Sequence, residues 1–449
     1  MIGPLTAEDL PAEVAELRKE LTALLPFAPI VSVFIELDRH TGFLDCFTHA
    51  GGPPPRSREL KRNLLAVIVA QATNLGISRM ADASDIGYDT LLWTQEWYIH
   101  EETLRAANLV IIGYHQALPL AAVFGGGTLS SSDGQRFPTK GKSITARALS
   151  RYFAEQGLSS YTHITDQHAV FATKVIVATD REAPYVLDEI LGNQADVPIT
   201  EHAIDTHGTS MINFALFDLV GLRLSPRIRD LGKITLGRCS TRSDTTVAFP
   251  RVGPLLTRRI NTALIAEHWD EMLRLAASLK YGHVTASLIV GKLSRADRQN
   301  TLAAALKEYG LLHRTVYAAR YLAREDYRRK ISRQLNKGES VHALRRDVFY
   351  AHEGAVRRRH LQDQTEQAWC LTIATNAIST WTAEYLGLAA QQFRDQGRHI
   401  DDEILAHISP AQSENIGLFG TITVDIDAEL AQLGPTGHRP LRQPAAGAT

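Results

Sequence analysis

The chain has 449 residues, with 48 basic and 49 acidic side chains. A chain of this length buries a sizeable core and divides into two or three domains, and its neutral balance says nothing about partners. Three cysteines, Cys46, Cys239 and Cys370, lie far apart without a C-x-x-C pair, which argues against a disulfide framework or a thiolate zinc site. Without a signal-peptide layout or a membrane-length apolar run, a soluble, intracellular, cytoplasmic protein is expected.

The charges are unevenly distributed along the chain. Residues 223–259 carry nine Lys/Arg against two Asp/Glu, and residues 314–360 carry thirteen against five. Residues 401–449 reverse this balance, with seven acids against two bases. The segregation indicates a body that binds a polyanion and an acidic tail, although solvated helix faces would explain either basic window alone.

The first 120 residues predict a mainly helical region. Apolar residues at helical spacing indicate an amphipathic helix over 8–25, whereas a β-branched run at 30–37 indicates a strand. From Glu59 to about Leu118 the pattern predicts three helices, with breaks near Gly76 and Gly87. Trp93 and Trp97 share one helical face. Core packing is their main interpretation and nucleic-acid stacking the alternative.

Two carboxylates stand at the ends of strand-like stretches. A glycine-rich approach at 125–127 leads through small residues to Asp133 and a turn, and an apolar stretch at 197–204 leads to Asp205. Oxygen ligands suit Mg²⁺, and two such ions can hold the attacking and leaving oxygens of a phosphoryl transfer. Two alternatives stay open. Asp133 precedes a glycine and fits an ordinary turn residue, and Asp205 with His202 and His207 suggests zinc.

The order of the elements predicts the fold class. A helix ending near Gly157, a hairpin over 161–178, a helix at 183–191, a strand at 197–204 and a helix at 211–220 follow the stretch that ends at Asp133. This order is typical of an α/β fold with a ribonuclease-H-like catalytic core. We predict a helical region at 1–120, the first part of the core at 121–232, a helical insertion at 233–330, the second part of the core with C-terminal helices at 331–425, and a disordered tail at 426–449.

A third carboxylate, Glu339, lies in an arginine-rich helical stretch. At one hundred degrees per residue, Val341, Leu344, Val348 and Ala351 form an apolar stripe. Glu339, His342 and Arg346 project from roughly the opposite side, with Glu353 as a competing ligand. Glu339 also fits an ordinary acidic residue in the first turn of a helix.

These residues belong to segments that carry a family resemblance. The sequence resembles the catalytic C-terminal part of the replicative DDE transposases of the Tn-three family, from about residue 30 to about residue 425. The matching segments are Thr41-Gly42-Phe43, Glu101 to Asn108, Gly126 to Phe137, Thr179 to Ala183, Asp205-Thr206-His207-Gly208, Leu279 to Gly282, Gln334 to Ser340, Ala343 to Arg346 and Glu366 to Leu371.

The resemblance implies a function and a site. Asp133, Asp205 and Glu339 fall on the family's two aspartates and one glutamate, which implies Mg²⁺ binding with two ions, or Mn²⁺ as an alternative. It implies nicking and strand transfer on double-stranded DNA, at transposon ends with inverted repeats and at target DNA. It also implies a homodimer, or assembly with full-length transposase, near the bacterial nucleoid and without a membrane. DNA phosphate contacts are expected from Arg328, Arg329, Arg345 and Arg346.

Two features depart from the family pattern. Thr209-Ser210-Met211 follow Gly208 where a tyrosine is expected, and the long N-terminal region that recognises inverted repeats is not in this sequence. The alternative function is therefore a truncated, catalytically incompetent remnant that binds DNA or a partner.

Overall fold

The computed structural model of the chain describes residues 5, 12–52, 59–140, 147–148, 156–177, 182–193, 195, 197–205, 209–230, 232, 234–295, 300–420 and 422–443. The chain forms two compact units. Unit 1 comprises Met1–Ala7, Thr128–Asp133 and Arg181–Asn336, and unit 2 comprises Glu8–Gly127, Gly134–Asp180 and Lys337–Thr449. The architecture is mixed α/β, with parallel and antiparallel strand pairs.

The strands and helices of the described residues are numbered in chain order. The strands are β1 (Ala28–Pro29), β2 (Leu129–Pro138), β3 (Arg147–Ala148), β4 (Gln156–Thr165), β5 (Val170–Val177), β6 (Glu201–Ile204), β7 (Arg223–Pro226), β8 (Gly237–Arg238), β9 (Arg258–Arg259) and β10 (Ile416–Gly417). The helices are α1 (Ala12–Leu24), α2 (Ile30–Thr41), α3 (Leu60–Ala72), α4 (Gly76–Ala83), α5 (Tyr88–Tyr98), α6 (Glu101–Ala117), α7 (Pro119–Phe124), α8 (Val186–Leu191), α9 (Met211–Leu219), α10 (Arg242–Ala248), α11 (Thr262–Glu267), α12 (Trp269–Lys280), α13 (Ala286–Arg295), α14 (Thr301–Ala323), α15 (Glu325–Val348), α16 (Leu361–Asp395), α17 (Asp402–Leu405) and α18 (Ile426–Leu430).

Unit 1 is built on parallel strands and helices. The first half of β2 pairs in parallel with β6, and β6 pairs in parallel with β7. Helix α9 packs on β7 and against α14. A Cβ atom at Gly310, inside α14, would lie 1.8 Å from the backbone oxygen of Met211 at the start of α9. Glycine is needed there because the two helix backbones approach so closely.

Unit 2 surrounds α16, a helix of 35 residues. Trp369, Trp381 and Tyr385 of this helix are almost completely buried. It packs against α3, α6 and β5. The apolar and amide-rich stretch from Gln364 to Leu388 predicts a buried helix, and α16 confirms this prediction. The predicted hairpin is also confirmed, since β4 and β5 pair antiparallel with Leu158 opposite Val177.

The strand predicted at 30–37 is wrong, because α2 covers this stretch. Every residue from Ile30 to Leu37 is buried. An apolar run buried on all sides has no periodicity, so its β-branched residues misleadingly favoured a strand. The helix ends where Gly42 adopts the left-handed conformation, with a φ of 66°.

The breaks predicted near Gly76 and Gly87 are confirmed, but α3 to α6 are four helices rather than three, with a further break at Ile99 and His100. Trp93 and Trp97 are 43% and 39% exposed, so core packing was the wrong interpretation. Trp97 instead stacks on His49, with the ring centroids 4.8 Å apart.

Three other predictions need revision. Gly157 lies inside β4 instead of ending a helix. Residues 143–146 and 149–155 of that predicted helix lie outside the described residues. In the insertion, the apolar spacing predicts separate helices at 298–309 and 312–322, but the structure has the single helix α14 across Gly310. The predicted disordered tail includes α18, and Arg439 is 8% exposed and donates its backbone N–H to Tyr385.

Among the described helices, none is both long and apolar enough to cross a membrane.

Candidate active site

The first half of β2 contains serines whose hydroxyl groups form hydrogen bonds with the ring nitrogens of a buried histidine. Ser130 and Ser132 lie 2.8 Å from Nδ1 and Nε2 of His202 on β6, and all three residues are buried. Both ring nitrogens are therefore occupied. The alternative in which His202 helps to bind zinc with Asp205 is not supported, and His207 lies outside the described residues.

The parallel register of β2 and β6 brings Asp133 next to Asp205. Ser132 is the partner of Ile204, and the residues that follow on the two strands are Asp133 and Asp205. Side chains alternate along a strand, so Asp133 lies on the face of β2 opposite to Ser132, and Asp205 directly follows the last residue of β6. Neighbouring strands are about 5 Å apart, which is close enough for two carboxylates to share a cation.

The surroundings of Asp133 differ from the prediction in one respect. We predicted a turn directly after this residue, but β2 continues to Pro138 and Asp133 is its fifth residue. The chain passes from unit 1 to unit 2 between Asp133 and Gly134. Asp133 is half-buried.

Two arginines that the sequence did not single out flank Asp205. Arg227 follows β7, and its Nη2 lies 3.3 Å from Oδ1 of Asp205. Arg229 reaches the other carboxylate oxygen at 3.4 Å. The Asp205 side chain keeps 30% of its surface exposed. The only signal in the sequence was the basic window at 223–259, which did not distinguish these arginines from the others.

A buried carboxylate fixes α15 to β6. Glu201 accepts hydrogen bonds from Ser225 at 2.6 Å, from Lys330 at 2.8 Å and from Tyr327. Burial alone would raise its pKa, but the hydrogen bonds from Lys330, Ser225 and Tyr327 and the charge of Lys330 lower the pKa of Glu201 below its ordinary value.

A second contact joins α15 to β2. Gln334 donates a hydrogen bond to Ser131 at 3.0 Å. Ser131 is two residues before Asp133 and lies on the same face of β2. The contacts of Glu201 and Gln334 were missed because nothing in a single sequence links residues so distant along the chain.

Glu339 lies on α15, in the part of this helix that belongs to unit 2. Its side chain is exposed, whereas Val341, Leu344 and Val348 are buried as predicted. His342 is not on a solvated face: it is 3% exposed and its Nε2 lies 2.8 Å from the Thr162 hydroxyl. Burial, with Arg345 and Arg346 nearby, lowers the pKa of His342 to about 3.

Glu353 is not on the polar side of α15, contrary to the prediction. The helix ends at Val348, and Glu353 lies in a short 3₁₀ turn with a φ of 57°. Its side chain is exposed.

Arg345 was wrongly predicted to contact DNA. It is completely buried in unit 2. Its guanidinium donates to Gln135 at 3.0 Å, to Thr372 at 2.9 Å and to Ser160 at 3.0 Å. Burial lowers the pKa of Arg345 to about 9, so the group is still charged at neutral pH. The charged group therefore forms hydrogen bonds inside unit 2 and is not exposed to solvent.

The other three arginines differ in exposure. Arg328 is 9% exposed and donates to the backbone oxygen of Leu322 at 3.0 Å. Arg329 is paired with Glu325 at 2.8 Å, and Arg346 is exposed. Arg346 is therefore the most accessible of the four predicted phosphate contacts.

Asp133 of β2 and Asp205, the residue after β6, offer carboxylate oxygens, which are ligands that hard divalent cations prefer. The family model "Tn3 transposase DDE domain" matches residues 32–421. The chain therefore belongs to the Tn3 transposase DDE domain family, and the resemblance seen in the sequence is confirmed.

Curated relatives match most of the chain. It is 38% identical to the transposase for transposon Tn501 of Pseudomonas aeruginosa over 446 residues, which are 99% of this chain and 44% of that protein. It is 35% identical to the transposase for transposon Tn1546 of Enterococcus faecium, covering 92% of this chain and 41% of the relative. It is 32% identical to the transposase for transposon gamma-delta of Escherichia coli K12, with coverage of 96% and 43%. The chain thus spans less than half the length of these relatives.

Proposed function

We propose that this chain is the catalytic region of a DNA transposase, which nicks transposon ends and joins them to target DNA. Membership of the Tn3 transposase DDE domain family and the similarity to curated transposases support this function. Asp133, Asp205 and Glu339 are the proposed catalytic and metal-binding residues, in a core of the ribonuclease-H-like type.

The observation that carries the proposal is the register that makes Asp133 and Asp205 neighbours on parallel strands. Glu339 is exposed on α15, the helix that Lys330 and Gln334 attach to β6 and β2. The Glu339 carboxylate is therefore accessible to a cation, unlike the buried Glu201 carboxylate of β6.

The donor set fits a hard divalent cation. Asp133 and Asp205 offer oxygen atoms from adjacent strands, and the Asp205 side chain is partly exposed. Together with Glu339, they would hold Mg²⁺, with two ions in the complete site and Mn²⁺ as an alternative. Bound there, the ions would supply Lewis acidity and would lower the pKa of a bound water.

Arg227 and Arg229 have a positioning role in this proposal. They contact both oxygens of Asp205 and bring two positive charges next to it. This orients the carboxylate and lowers the cost of bringing a phosphodiester close to three negative side chains. A site made of carboxylates alone would repel the DNA backbone.

The proposed chemistry consists of two phosphoryl transfers. First, a water oxygen bonds to the scissile phosphorus while the bond from phosphorus to the 3′ oxygen breaks, leaving a 3′-hydroxyl and a 5′-phosphate. Second, that 3′-hydroxyl loses its proton and bonds to a phosphorus of target DNA, while the 3′ oxygen of the target leaves and takes up a proton. Each step exchanges one P–O bond for another.

The partners follow from this chemistry. Double-stranded DNA with terminal inverted repeats and a target duplex are the proposed substrates, near the bacterial nucleoid. Because both ends of a transposon must be processed, we include a homodimer, or assembly with a full-length transposase, in the proposal.

Nicking of plasmid DNA that carries transposon ends tests the proposal. Asp133→Asn and Asp205→Asn should abolish Mg²⁺-dependent nicking and leave DNA binding largely intact, because the amide keeps the shape but loses the charge. Asp270→Asn, which removes an exposed charge at the start of α12, is the matched control. Undiminished nicking by the Asp133 and Asp205 variants would reject the assignment. Binding without nicking by the unmodified chain would instead favour a noncatalytic DNA-binding remnant.

A further inference from the structure

A cavity of about 510 Å³ in unit 2 is lined by basic and amide side chains. It is bordered by α4, by α5 and by the segment that follows α15. Its basic lining residues are Arg79, Arg357, Arg358 and His352. Gln71, Asn74, Gln95 and Gln367 add polar groups to the wall. This composition suits an anion better than an apolar ligand.

The three arginines keep their charge available. Arg79 and Arg357 are exposed and Arg358 is half-buried. Within the described part of the chain, none of the three has a carboxylate oxygen within 4.0 Å. Glu366 is close enough to interact with Arg358 electrostatically, but it accepts a hydrogen bond from Gln362 instead. The cavity therefore carries positive charge that no direct ion pair within the described part of the chain neutralises.

Arg79 and Arg357 both lie close to the imidazole ring of His352. Burial first, and then the charges of Arg79 and Arg357, lower the pKa of His352. Nη1 of Arg357 lies 3.3 Å from Nε2 of the ring. Lys140 adds a weaker contribution of the same sign. The Arg79 and Arg357 guanidinium groups therefore both lie near this ring, and an anion bound beside them would relieve the repulsion between their charges.

The backbone of the cavity wall is held in an uncommon conformation. His352 and Glu353 have φ values of 55° and 57°, in the left-handed region that side chains disfavour. The Asn74 side-chain amide fixes this turn, because it donates to the carbonyl oxygens of Ala351 at 2.8 Å and Ala355 at 2.9 Å. Such strain persists where the surroundings impose it, often at binding sites.

The amino end of α4 also lines the cavity. Gly76, Ile77 and Ser78 are its first residues, and Leu75 at the N-cap offers no side-chain hydrogen bond to them. The N–H groups of a first helical turn carry partial positive charge and bind phosphate readily. They add to the charge of the three arginines.

We propose that this cavity binds a phosphodiester of the DNA backbone, with Arg79, Arg357 and Arg358 as the principal contacts. The inference rests on the proposed function, because it takes duplex DNA as the ligand. The proposed phosphate site lies in unit 2 and is formed by these arginines, the segment that follows α15 and the amino end of α4. It does not involve the proposed catalytic carboxylates.

The test compares two triple variants of the full chain for binding to one fluorescent duplex at several salt concentrations. Arg79→Gln/Arg357→Gln/Arg358→Gln removes the cavity charges. Arg18→Gln/Arg394→Gln/Arg398→Gln removes the same charge from arginines that are ion-paired elsewhere in unit 2. The cavity variant should lower the slope of log K against log salt by about 2 to 3 and weaken binding at least tenfold, whereas the control should change the slope by less than about 1.

The outcomes separate the two proposals. Equal slopes and affinities for both triple variants, with the unmodified chain binding DNA, would overturn the phosphate site alone. No salt-dependent binding of duplex DNA by the unmodified chain would overturn both. Circular dichroism checks that the variants fold. If the cavity triple variant does not fold, Arg79→Glu replaces it, because Arg79 is exposed and the reversed charge must weaken binding if the site exists.

Discussion

Lys330 of α15 donates a hydrogen bond to Glu201 of β6 at 2.8 Å, and this ion pair attaches the helix to the strand that leads to Asp205. The Glu201 side chain is 5% exposed, whereas that of Lys330 is 49% exposed. The carboxylate is thus the buried partner. Its ionisation state therefore determines the strength of this contact between α15 and β6.

Glu201 makes stability depend on pH in a defined direction. Its pKa is lowered in the folded state, so its contribution to stability is present above the ordinary pKa of about 4.5 and is lost as the pH falls through the lower folded-state pKa. We expect Glu201→Gln to cost about 2 kcal/mol at neutral pH and to flatten the acid side of the stability profile. Urea unfolding at neutral and acidic pH measures this, with the exposed Glu325→Gln as control. A difference from the unmodified chain that stays constant as pH falls would contradict the expectation.

Removal of the two adjacent arginines on α15, Arg345 and Arg346, should change stability by very different amounts. Arg345→Met leaves the acceptors on Gln135, Thr372 and Ser160 without their donor, and should cost about 3 kcal/mol. Arg346→Met, at an exposed position, should change stability by less than about 0.5 kcal/mol. Chemical denaturation of the two variants measures the change in the free energy of unfolding for each. Equal stability losses would show that Arg345 does not hold the core.

Two helical glycines offer a test of packing. Gly310→Ala should destabilise unit 1 by about 3 kcal/mol, because the new methyl group would overlap the backbone of Met211. Gly291→Ala in α13 meets no atom within 4 Å and should stabilise by up to about 1 kcal/mol through helix propensity. Thermal unfolding of both variants compares their stability with that of the unmodified chain. If Gly310→Ala did not lower the stability, the backbones of α9 and α14 would have to lie farther apart than in the structure.

The third metal ligand can be assigned by a pair of substitutions. Glu339→Gln should abolish nicking, whereas Glu353→Gln should leave it within about twofold, since Glu353 lies in the turn beyond α15. Both side chains are exposed, so neither change should affect folding. Nicking assays under identical metal concentrations distinguish them. Loss of activity in the Glu353 variant alone would reassign the ligand.

The sequence predicted the elements whose pattern is local. The β4–β5 hairpin, α9 and α16 have clear periodicity or length, and the structure confirms them. Helix α2 was missed because burial on every side erases the polar stripe. The turn after Asp133 was wrong because Gly134 lies within β2, where glycine carries no turn.

The surroundings of the candidate site were harder to predict. Asp133 and Asp205 stand out as isolated carboxylates after strand-like stretches. Arg227 and Arg229 were hidden in a generally basic segment, and Glu201 looked like an ordinary strand residue. Their roles depend on partners that are distant along the chain, such as Lys330, and pairing of this kind leaves no trace in one sequence.

The most direct test of the central claim is Mn²⁺ binding measured by electron paramagnetic resonance, since Mn²⁺ occupies Mg²⁺ sites and its signal changes when it is bound. Asp133 and Asp205 are proposed to hold a cation together, so either Asn variant should weaken Mn²⁺ binding at least about tenfold relative to the unmodified chain and to Asp270→Asn. Titrations of the Asp133→Asn and Asp205→Asn proteins that superimpose on that of the unmodified chain would contradict the account.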